Sequence, residues 1–171
     1  MKFALIAMLP LILAAKCHDD VSDLARPAPM ALTQEAAGHY CQMIILDHPG
    51  PKAQVYLDGY PAPLWFSQVR DAVAYLKSPE QSAGIVVIYV NDMGKAVSWT
   101  DPGSDNWTDA ETAYFVVGSD ALGGMGAPEI APFSDPEQAR AFSAEHGGDV
   151  MQLADIPADL VLSPIQREVS Q

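Results

Sequence analysis

The alternation of apolar and polar positions divides the chain into two successive groups of short elements. In the first group, residues 40–47 and 52–58 are rich in aromatic and β-branched side chains, which is typical of strands. Residues 64–77 carry apolar side chains at nearly helical spacing, and residues 83–90 are almost continuously apolar, as in a strand buried on both faces. The first group therefore predicts the order strand, strand, helix, strand.

The second group predicts the same order of elements. A short apolar run and a weaker one that two prolines interrupt precede a helical stretch, which begins at a capping-box pattern from Ser134 to Glu137. The pair Gly147-Gly148 would end this helix. The predicted elements are strands at 112–118, 127–133 and 149–154 and a helix at 137–145.

The stretch between the two groups, residues 91–111, contains glycines and a proline and predicts a loop, with a short strand possible at 95–99. The two halves share little residue identity, so their repetition is inferred from the order of elements alone. We therefore predict an α+β fold of two small β-β-α-β domains in tandem. The predicted organisation is a signal peptide at 1–16, a flexible tether at 17–38, a first domain at 39–92, a linker at 93–111, a second domain at 112–156 and a polar tail at 157–171.

The N-terminal leader indicates export. One lysine precedes an apolar run that ends in small residues, which is typical of a secretory signal, and the run is too short to cross a membrane. Cys17 follows closely, as in bacterial lipoproteins whose first mature residue is a lipidated cysteine. Lys16 stands where such signals have a small residue, so cleavage after Ala15 is the alternative. We expect a periplasmic protein that a lipid on Cys17 anchors to the outer membrane.

Composition and charge narrow the range of partners. Apolar residues make up 49% of the chain, which is too much for a disordered protein and enough for a core. The net charge of −13 disfavours binding to nucleic acid or to anionic lipid headgroups, and it suits a cationic ligand or a basic partner. Much of this acidity could serve only to keep the protein soluble.

Cys41 is the one cysteine that remains if Cys17 carries a lipid. An unpaired thiol in an exported protein suggests a reactive or metal-ligating group. A disulfide between Cys17 and Cys41, or an inert buried thiol, are the alternatives. In an extended strand, His39, Cys41 and Met43 would point to the same face because successive side chains alternate. Thiolate and thioether sulfur together favour Cu(I) over hard cations.

A second methionine has an unusual context. Met125 lies in the sequence Gly123-Gly124-Met125-Gly126, where glycines allow rare backbone angles and close approach. Such a methionine can be presented as a ligand, although a gap-filling role is the alternative. Cys41 and Met125 lie in opposite halves, and ligand sites often lie between domains. We predict a site with Cys41 and Met125 as sulfur ligands, to which Met43 or a nitrogen of His39 could add a third.

Other common chemistries lack their sequence signatures. The chain has no C-x-x-C or H-x-x-x-H zinc spacing, no phosphate-binding glycine loop and no G-x-S-x-G elbow. A cysteine protease would need Cys41 beside a distant histidine, and nothing beyond the presence of those residue types supports this. We therefore expect a protein that is not an enzyme.

These residues resemble the NosL family, lipoproteins encoded with nitrous oxide reductase, over about residues 39–156. The family's Cys-Gly-Met appears here as Cys41-Gln42-Met43, with a departure at the middle position. The resemblance depends on several segments taken together, since none is specific alone. These are Cys41-Gln42-Met43, residues 48–53 (HPGPKA), residues 113–119 (AYFVVGS), Met125-Gly126 and residues 146–148 (HGG).

The resemblance implies a Cu(I) metallochaperone that delivers copper for the multicopper sulfide centre of nitrous oxide reductase, beside an ABC-type maturation complex. It implies that Cys41 and Met125 ligate one copper ion and that the fold is similar in topology to organomercurial lyase. That relation makes carbon–mercury cleavage an alternative, but the lyase uses a pair of cysteines and an acid, and here only Cys41 is available. Another alternative is a scaffold lipoprotein that binds no metal and recruits a maturation complex through its acidic surface.

Overall fold

The structure is a computed structural model that describes residues 26–164. The predicted signal peptide, Cys17 and residues 165–171 lie outside this range. Within residues 26–164, seven strands form two sheets and three α-helices are present. The strands are β1 (Ala53–Leu57), β2 (Leu64–Phe66), β3 (Ile85–Asn91), β4 (Trp107–Asp109), β5 (Tyr114–Val117), β6 (Ala131–Phe133) and β7 (Asp149–Gln152), and the helices are α1 (Val69–Lys77), α2 (Pro136–His146) and α3 (Ala158–Leu162).

The first sheet has the order β2-β1-β3-β4, with every neighbouring pair antiparallel. All five residues of β1 are buried, although only alternate residues of a strand face the same side. Val55 and Leu57 point into the core with the buried face of α1. Gln54 and Tyr56 face the opposite side, which a preceding segment of the chain covers.

That covering segment is the strap (residues 26–32), which is part of the predicted tether. The hydroxyl of Tyr56 donates to the carbonyl of Ala28 at 3.0 Å, and that of Tyr89 donates to the carbonyl of Pro27 at 2.8 Å. Gln54 forms two hydrogen bonds with the backbone of Met30. These contacts hold residues 26–32 against the outer face of the first sheet.

The second sheet has the order β6-β5-β7, again antiparallel throughout. Helix α2 packs on it through Ala139 and Phe142. The helix is capped by Asp135, whose carboxylate accepts from the backbone of Glu137, so the prediction of Ser134 as the N-cap is wrong. Ser134 instead donates its hydroxyl to the buried carboxylate of Asp92.

The two halves share one hydrophobic core. A single cluster of buried side chains includes Val55 and Phe66 from the first sheet and Phe115 and Ile130 from the second half. The segment 93–111, predicted as a linker, contributes β4 to the first sheet. The expected α+β fold with a β-β-α-β order in each half is therefore present, with its halves packed through a continuous interior. The domain boundaries themselves stay a prediction.

The predicted strand at 40–47 is wrong. Residues 39–41 form a turn, and Ile45–Asp47 form a short 3₁₀ helix. The backbone N–H of Gln42 donates to the carbonyl of Gly38 at 2.8 Å, which closes one helical turn and prevents an extended course. Aromatic and β-branched residues favour strands only where a neighbouring strand offers a ladder.

Two other boundaries differ from prediction. Residues 64–66 belong to β2 and not to the predicted helix, because they pair with β1 in the register Ala53 opposite Phe66. The strand of the segment between the halves lies at Trp107–Asp109, whereas residues 95–99 contain only an isolated bridge between Ser98 and Asp101. No helix within residues 26–164 is both long and apolar enough to cross a membrane.

Candidate metal centre

Cys41 lies on a closed loop, the Cys41 loop (residues 38–43). The N–H of Gly38 donates to the carbonyl of Met43 at 2.9 Å, which ties the two ends of the loop together. His39 donates its N–H to the carbonyl of Trp65 at 2.7 Å and so fastens the loop to β2. The loop therefore has a fixed position on the first sheet.

The backbone of Gln42 takes the left-handed conformation, with φ at +57°, and it is the one non-glycine residue of the described chain with positive φ. This conformation costs an ordinary residue about 1–2 kcal/mol, which glycine avoids. The amide of Gln42 offsets the cost by donating to the carbonyl of His39 at 2.8 Å and to that of Gly38 at 3.3 Å. The family's glycine thus suits this position, and glutamine fills it with added hydrogen bonds.

The thiol of Cys41 is half-buried between two neighbours. A Cβ on Gly38 would lie 2.4 Å from Sγ, so the absence of a side chain at position 38 makes the space for the sulfur. On the other side, Sγ lies 3.7 Å from the hydroxyl oxygen of Ser67. Cys41 forms no disulfide within residues 26–164.

Met125 is presented by a second tight turn, the glycine loop (residues 122–126). The N–H of Gly126 donates to the carbonyl of Gly123 at 2.8 Å, and that of Gly123 donates to the carbonyl of Ala127 at 2.8 Å. Met125 is 37% exposed, so the residue can be reached from solvent.

The glycine loop is pressed against the first half of the chain. A Cβ on Gly124 would lie 2.4 Å from the Cβ of His48, and one on Gly123 would lie 2.6 Å from Oε1 of Gln68. Glycine at these two positions therefore permits a close approach that any side chain would prevent. The approach brings Met125 to the same part of the molecule as Cys41.

Ser67 and Gln68, which we call the platform, connect β2 to α1 and touch both loops. The hydroxyl of Ser67 contacts the thiol of Cys41, and Oε1 of Gln68 accepts from the N–H of Met125 at 2.9 Å. Both platform residues are buried. Two residues adjacent in sequence thus hold the two predicted sulfur ligands, which come from opposite halves.

His39 and Met43 are placed differently from Cys41. The ring of His39 packs against Phe66 and Tyr75, with centroid separations of 5.6 Å to each, whereas Met43 is 40% exposed. The prediction that His39, Cys41 and Met43 share a strand face is wrong, because residues 39–41 form a turn. Their roles as additional ligands stay a prediction.

A buried lysine, which sequence reasoning missed, lies behind the platform. Lys52 is 1% exposed, and its Nζ donates to the carbonyls of Pro49, Gly50 and Ser67 at 3.0, 2.6 and 3.4 Å. Burial lowers the pKa of Lys52 to about 8, and the charge of Glu129 opposes this shift. The one sequence signal for Lys52 is its position in residues 48–53, a segment on which the family resemblance depends.

A buried carboxyl group, also missed, lies under the glycine loop. Oε1 of Glu129 accepts from the backbone N–H groups of Arg70 and Ile130 at 2.9 Å each. Its other oxygen, Oε2, has no hydrogen-bond partner in the described structure. Burial raises the pKa of Glu129 to about 8, so the carboxyl group is mainly neutral at pH 7. An isolated acid in an apolar run that prolines interrupt gives no local sign of burial.

The donor set fits a soft, singly charged metal. A thiolate from Cys41 would neutralise Cu(I), and the thioether of Met125 would add a soft ligand without charge. No group of three or more His, Cys, Asp or Glu side chains within residues 26–164 is arranged to hold a metal ion.

Known proteins match this chain over most of its length. The model of the NosL family matches residues 29–161. The chain is 53% identical over 167 residues to the copper-binding lipoprotein NosL of Achromobacter cycloclastes, with 97% of this chain and 85% of the relative covered. It is 35% identical over 134 residues to the copper-binding lipoprotein NosL of Stutzerimonas stutzeri, with 78% and 68% covered.

Solved structures support the fold. The crystal structure of the copper chaperone NosL from Shewanella denitrificans matches with a TM-score of 0.71 at 32% identity, over 75% of this chain and 95% of that one. The solution structure of apo-NosL from Achromobacter cycloclastes matches with a TM-score of 0.51 at 56% identity, over 68% and 93%. The tandem α+β fold expected from the sequence is confirmed.

Proposed function

Because the chain belongs to the NosL family, we propose that it is a metallochaperone that carries one Cu(I) ion as its cargo. The names of its relatives support this proposal, since two are called copper-binding lipoproteins and one a copper chaperone. We assign Cys41 and Met125 as the sulfur ligands.

The observation that carries the assignment is the contact of the platform with both loops. Ser67 lies against the thiol of Cys41 while Gln68 binds the backbone of Met125. A site that is built before the metal arrives loses less conformational entropy on binding than one that must be assembled. Cys41 and Met125 can therefore bind one metal ion together although they lie in opposite halves of the chain.

The chemistry of the pair suits uptake and release of copper. Thiolate and Cu(I) form a neutral unit, which is far less costly to bury than a charge. Met125 is 37% exposed and Met43 is 40% exposed, so an acceptor protein can reach the metal from solvent. We expect Met43 to supply a third ligand more readily than His39, whose ring would first have to leave its aromatic neighbours.

We further propose that the cargo is delivered for assembly of the multicopper sulfide centre of nitrous oxide reductase, together with an ABC-type maturation complex. The protein would work in the periplasm, held at the outer membrane by a lipid on Cys17. Support comes from the leader sequence and from the description of two relatives as lipoproteins. The name of copper chaperone supports a carrier and not a catalyst.

The test is titration of the reduced protein with Cu(I) in the presence of a competing chelator. We expect one tight equivalent in wild type. Cys41→Ser should weaken binding by more than about 100-fold, because loss of a ligand should exceed the 10–100-fold typical of its supporting partners. Met125→Leu should weaken binding less, since a neutral thioether contributes less than a thiolate.

The matched control is Met30→Leu. Met30 is an exposed methionine (47%) on the strap, which covers the outer face of the first sheet, so its replacement should leave the Cu(I) affinity unchanged. Equal affinity in Cys41→Ser and wild type would remove the basis of the proposal.

A further inference from the structure

Gln68 is a buried polar residue whose side chain connects the start of α1 to the glycine loop. It precedes α1 and is 2% exposed, but its side chain makes no capping bond to the helix. Instead Oε1 accepts from the N–H of Met125 at 2.9 Å, while Nε2 donates to Oδ2 of Asp71 at 3.2 Å. The bond to Asp71 fixes the orientation of the amide, because only the oxygen can accept from Met125.

This hydrogen bond ties the glycine loop to the platform, which also contacts the Cys41 loop through Ser67. Residues 123–126 form no other hydrogen bond to residues 26–92 in the described structure, since their remaining bonds stay within the turn up to Ala127. The glycine loop is also held by the packing of Gly123 and Gly124 and by Trp99, whose Nε1 donates to the carbonyl of Leu122 at 3.0 Å. Removal of the amide would take away the one hydrogen bond that holds the backbone of Met125 itself to the platform.

We propose that Gln68 is a positioning residue of the copper site: it holds the backbone of Met125 so that the thioether reaches a metal bound to Cys41, without itself touching the metal. This inference rests on the proposed function and extends it by one residue. Such supporting partners of a metal ligand commonly contribute about 10–100-fold to metal affinity. Ser67, the neighbour of Gln68, contacts the thiol, so a shift of this dipeptide would displace both sulfurs.

The first test combines Gln68→Leu with Met125→Leu in a double-mutant cycle for Cu(I) affinity. Gln68→Leu keeps the buried volume and removes both hydrogen bonds, and it should weaken binding by at least about tenfold. If Gln68 acts through Met125, the double variant should bind no more weakly than the weaker single variant. Additive losses would overturn the inference.

Gln54→Leu is the matched control. Gln54 is equally buried and also makes two hydrogen bonds, to the backbone of Met30 on the strap, away from the candidate site. It should lose stability as Gln68→Leu does while its Cu(I) affinity stays that of wild type. Should Gln68→Leu fail to fold, Gln68→Asn keeps the amide but shortens its reach by one methylene, and we expect the same loss of affinity.

A second measurement needs no copper. Amide hydrogen exchange in the apo protein should accelerate at Met125 in Gln68→Leu and remain slow there in Gln54→Leu. An unchanged exchange rate at Met125 would overturn the inference while leaving the copper site of Cys41 and Met125 intact. If Cys41→Ser and Met125→Leu both bind Cu(I) like wild type, the proposed function fails first, and the exchange result still decides whether Gln68 holds the loop.

Discussion

Gln42 illustrates how one residue can replace glycine in a strained backbone position. Its φ of +57° favours glycine, and its amide compensates by hydrogen bonding to two carbonyls of the same loop. The sequence alone could not reveal this, because the aromatic and β-branched residues of 40–47 predict a strand. The position of Cys41 thus depends on a turn that has no strong local signal.

The role of Gln42 can be tested by stability. Gln42→Val should lower the free energy of unfolding by about 1–2 kcal/mol or more, because a β-branched side chain disfavours positive φ and makes no compensating hydrogen bond. Gln42→Gly should be nearly neutral, since relief of strain is offset by lost hydrogen bonds and a more flexible unfolded chain. Urea unfolding measures both, and greater stability of the valine variant than of the glycine variant would contradict the assignment.

At the scale of elements, the sequence predicts the helices and strands whose apolar pattern is local. The sequence predicts strands β1 and β3 and helix α2 within a few residues, because continuous apolar runs and a Pro and Gly at the helix ends leave marks in the sequence, although the N-cap is Asp135 and not Ser134. The sequence predicts a helix where β2 lies, because the apolar spacing of residues 64–77 is nearly helical. Strand β2 forms there instead because it pairs with β1, a contact that no local pattern encodes. The platform was missed for the same reason, because nothing near Gln68 indicates a bond to a distant loop.

Cys41 and Met125 could be singled out from residue type and context, but their common support could not. What the sequence offered was a lone thiol and a methionine framed by glycines. That these glycines pack against His48 and Gln68 emerges only from the folded chain. These glycines therefore allow the glycine loop to pack closely on the first half of the chain, in addition to giving the backbone conformational freedom.

Gly124→Ala tests that close approach. Its Cβ would lie 2.4 Å from the Cβ of His48 and 3.1 Å from the carbonyl oxygen of Pro49, so the glycine loop must shift. We expect a lower free energy of unfolding, measured with urea, and weaker Cu(I) binding, measured by chelator competition. Gly84→Ala is the control, since no atom lies within 4 Å of its Cβ. Equal Cu(I) affinity in the two variants would show that the close packing of Gly124 against His48 does not position the glycine loop for copper binding.

At the scale of the whole molecule, two ionisable side chains lie in the interior that the halves share. Lys52 and Glu129 have pKa values of about 8, each shifted by burial towards its neutral form. For Glu129 the folded protein retains a proton that the unfolded chain releases above pH 4.5. Its contribution to stability is therefore full below that pH and is lost as the pH rises through about 8. For Lys52 the window is about pH 8 to 10.5, where the folded protein binds fewer protons than the unfolded chain. The free energy of unfolding therefore rises with pH in this window, from about pH 8 to pH 10.5.

Glu129→Gln should remove the fall in stability that the carboxyl group causes between pH 4.5 and about 8. The free energy of unfolding of wild type should fall relative to that of the variant by several kcal/mol between pH 5 and pH 8, since each tenfold change in proton affinity is worth about 1.4 kcal/mol. Glu145→Gln, at an exposed position of α2, should follow wild type. Urea unfolding at the two pH values measures the difference, and parallel profiles for wild type and Glu129→Gln would show that the carboxyl group is not held neutral.

The proposed copper site requires two sulfurs from opposite halves of the chain to meet at one copper ion. X-ray absorption at the copper and sulfur edges of the Cu(I) form counts those ligands directly. We predict that both Cys41 and Met125 sulfur contribute in wild type, that Met125→Leu loses one sulfur neighbour, and that Met30→Leu loses none. A copper environment that is the same in Met125→Leu as in wild type, or one made of nitrogen and oxygen alone, would contradict the account.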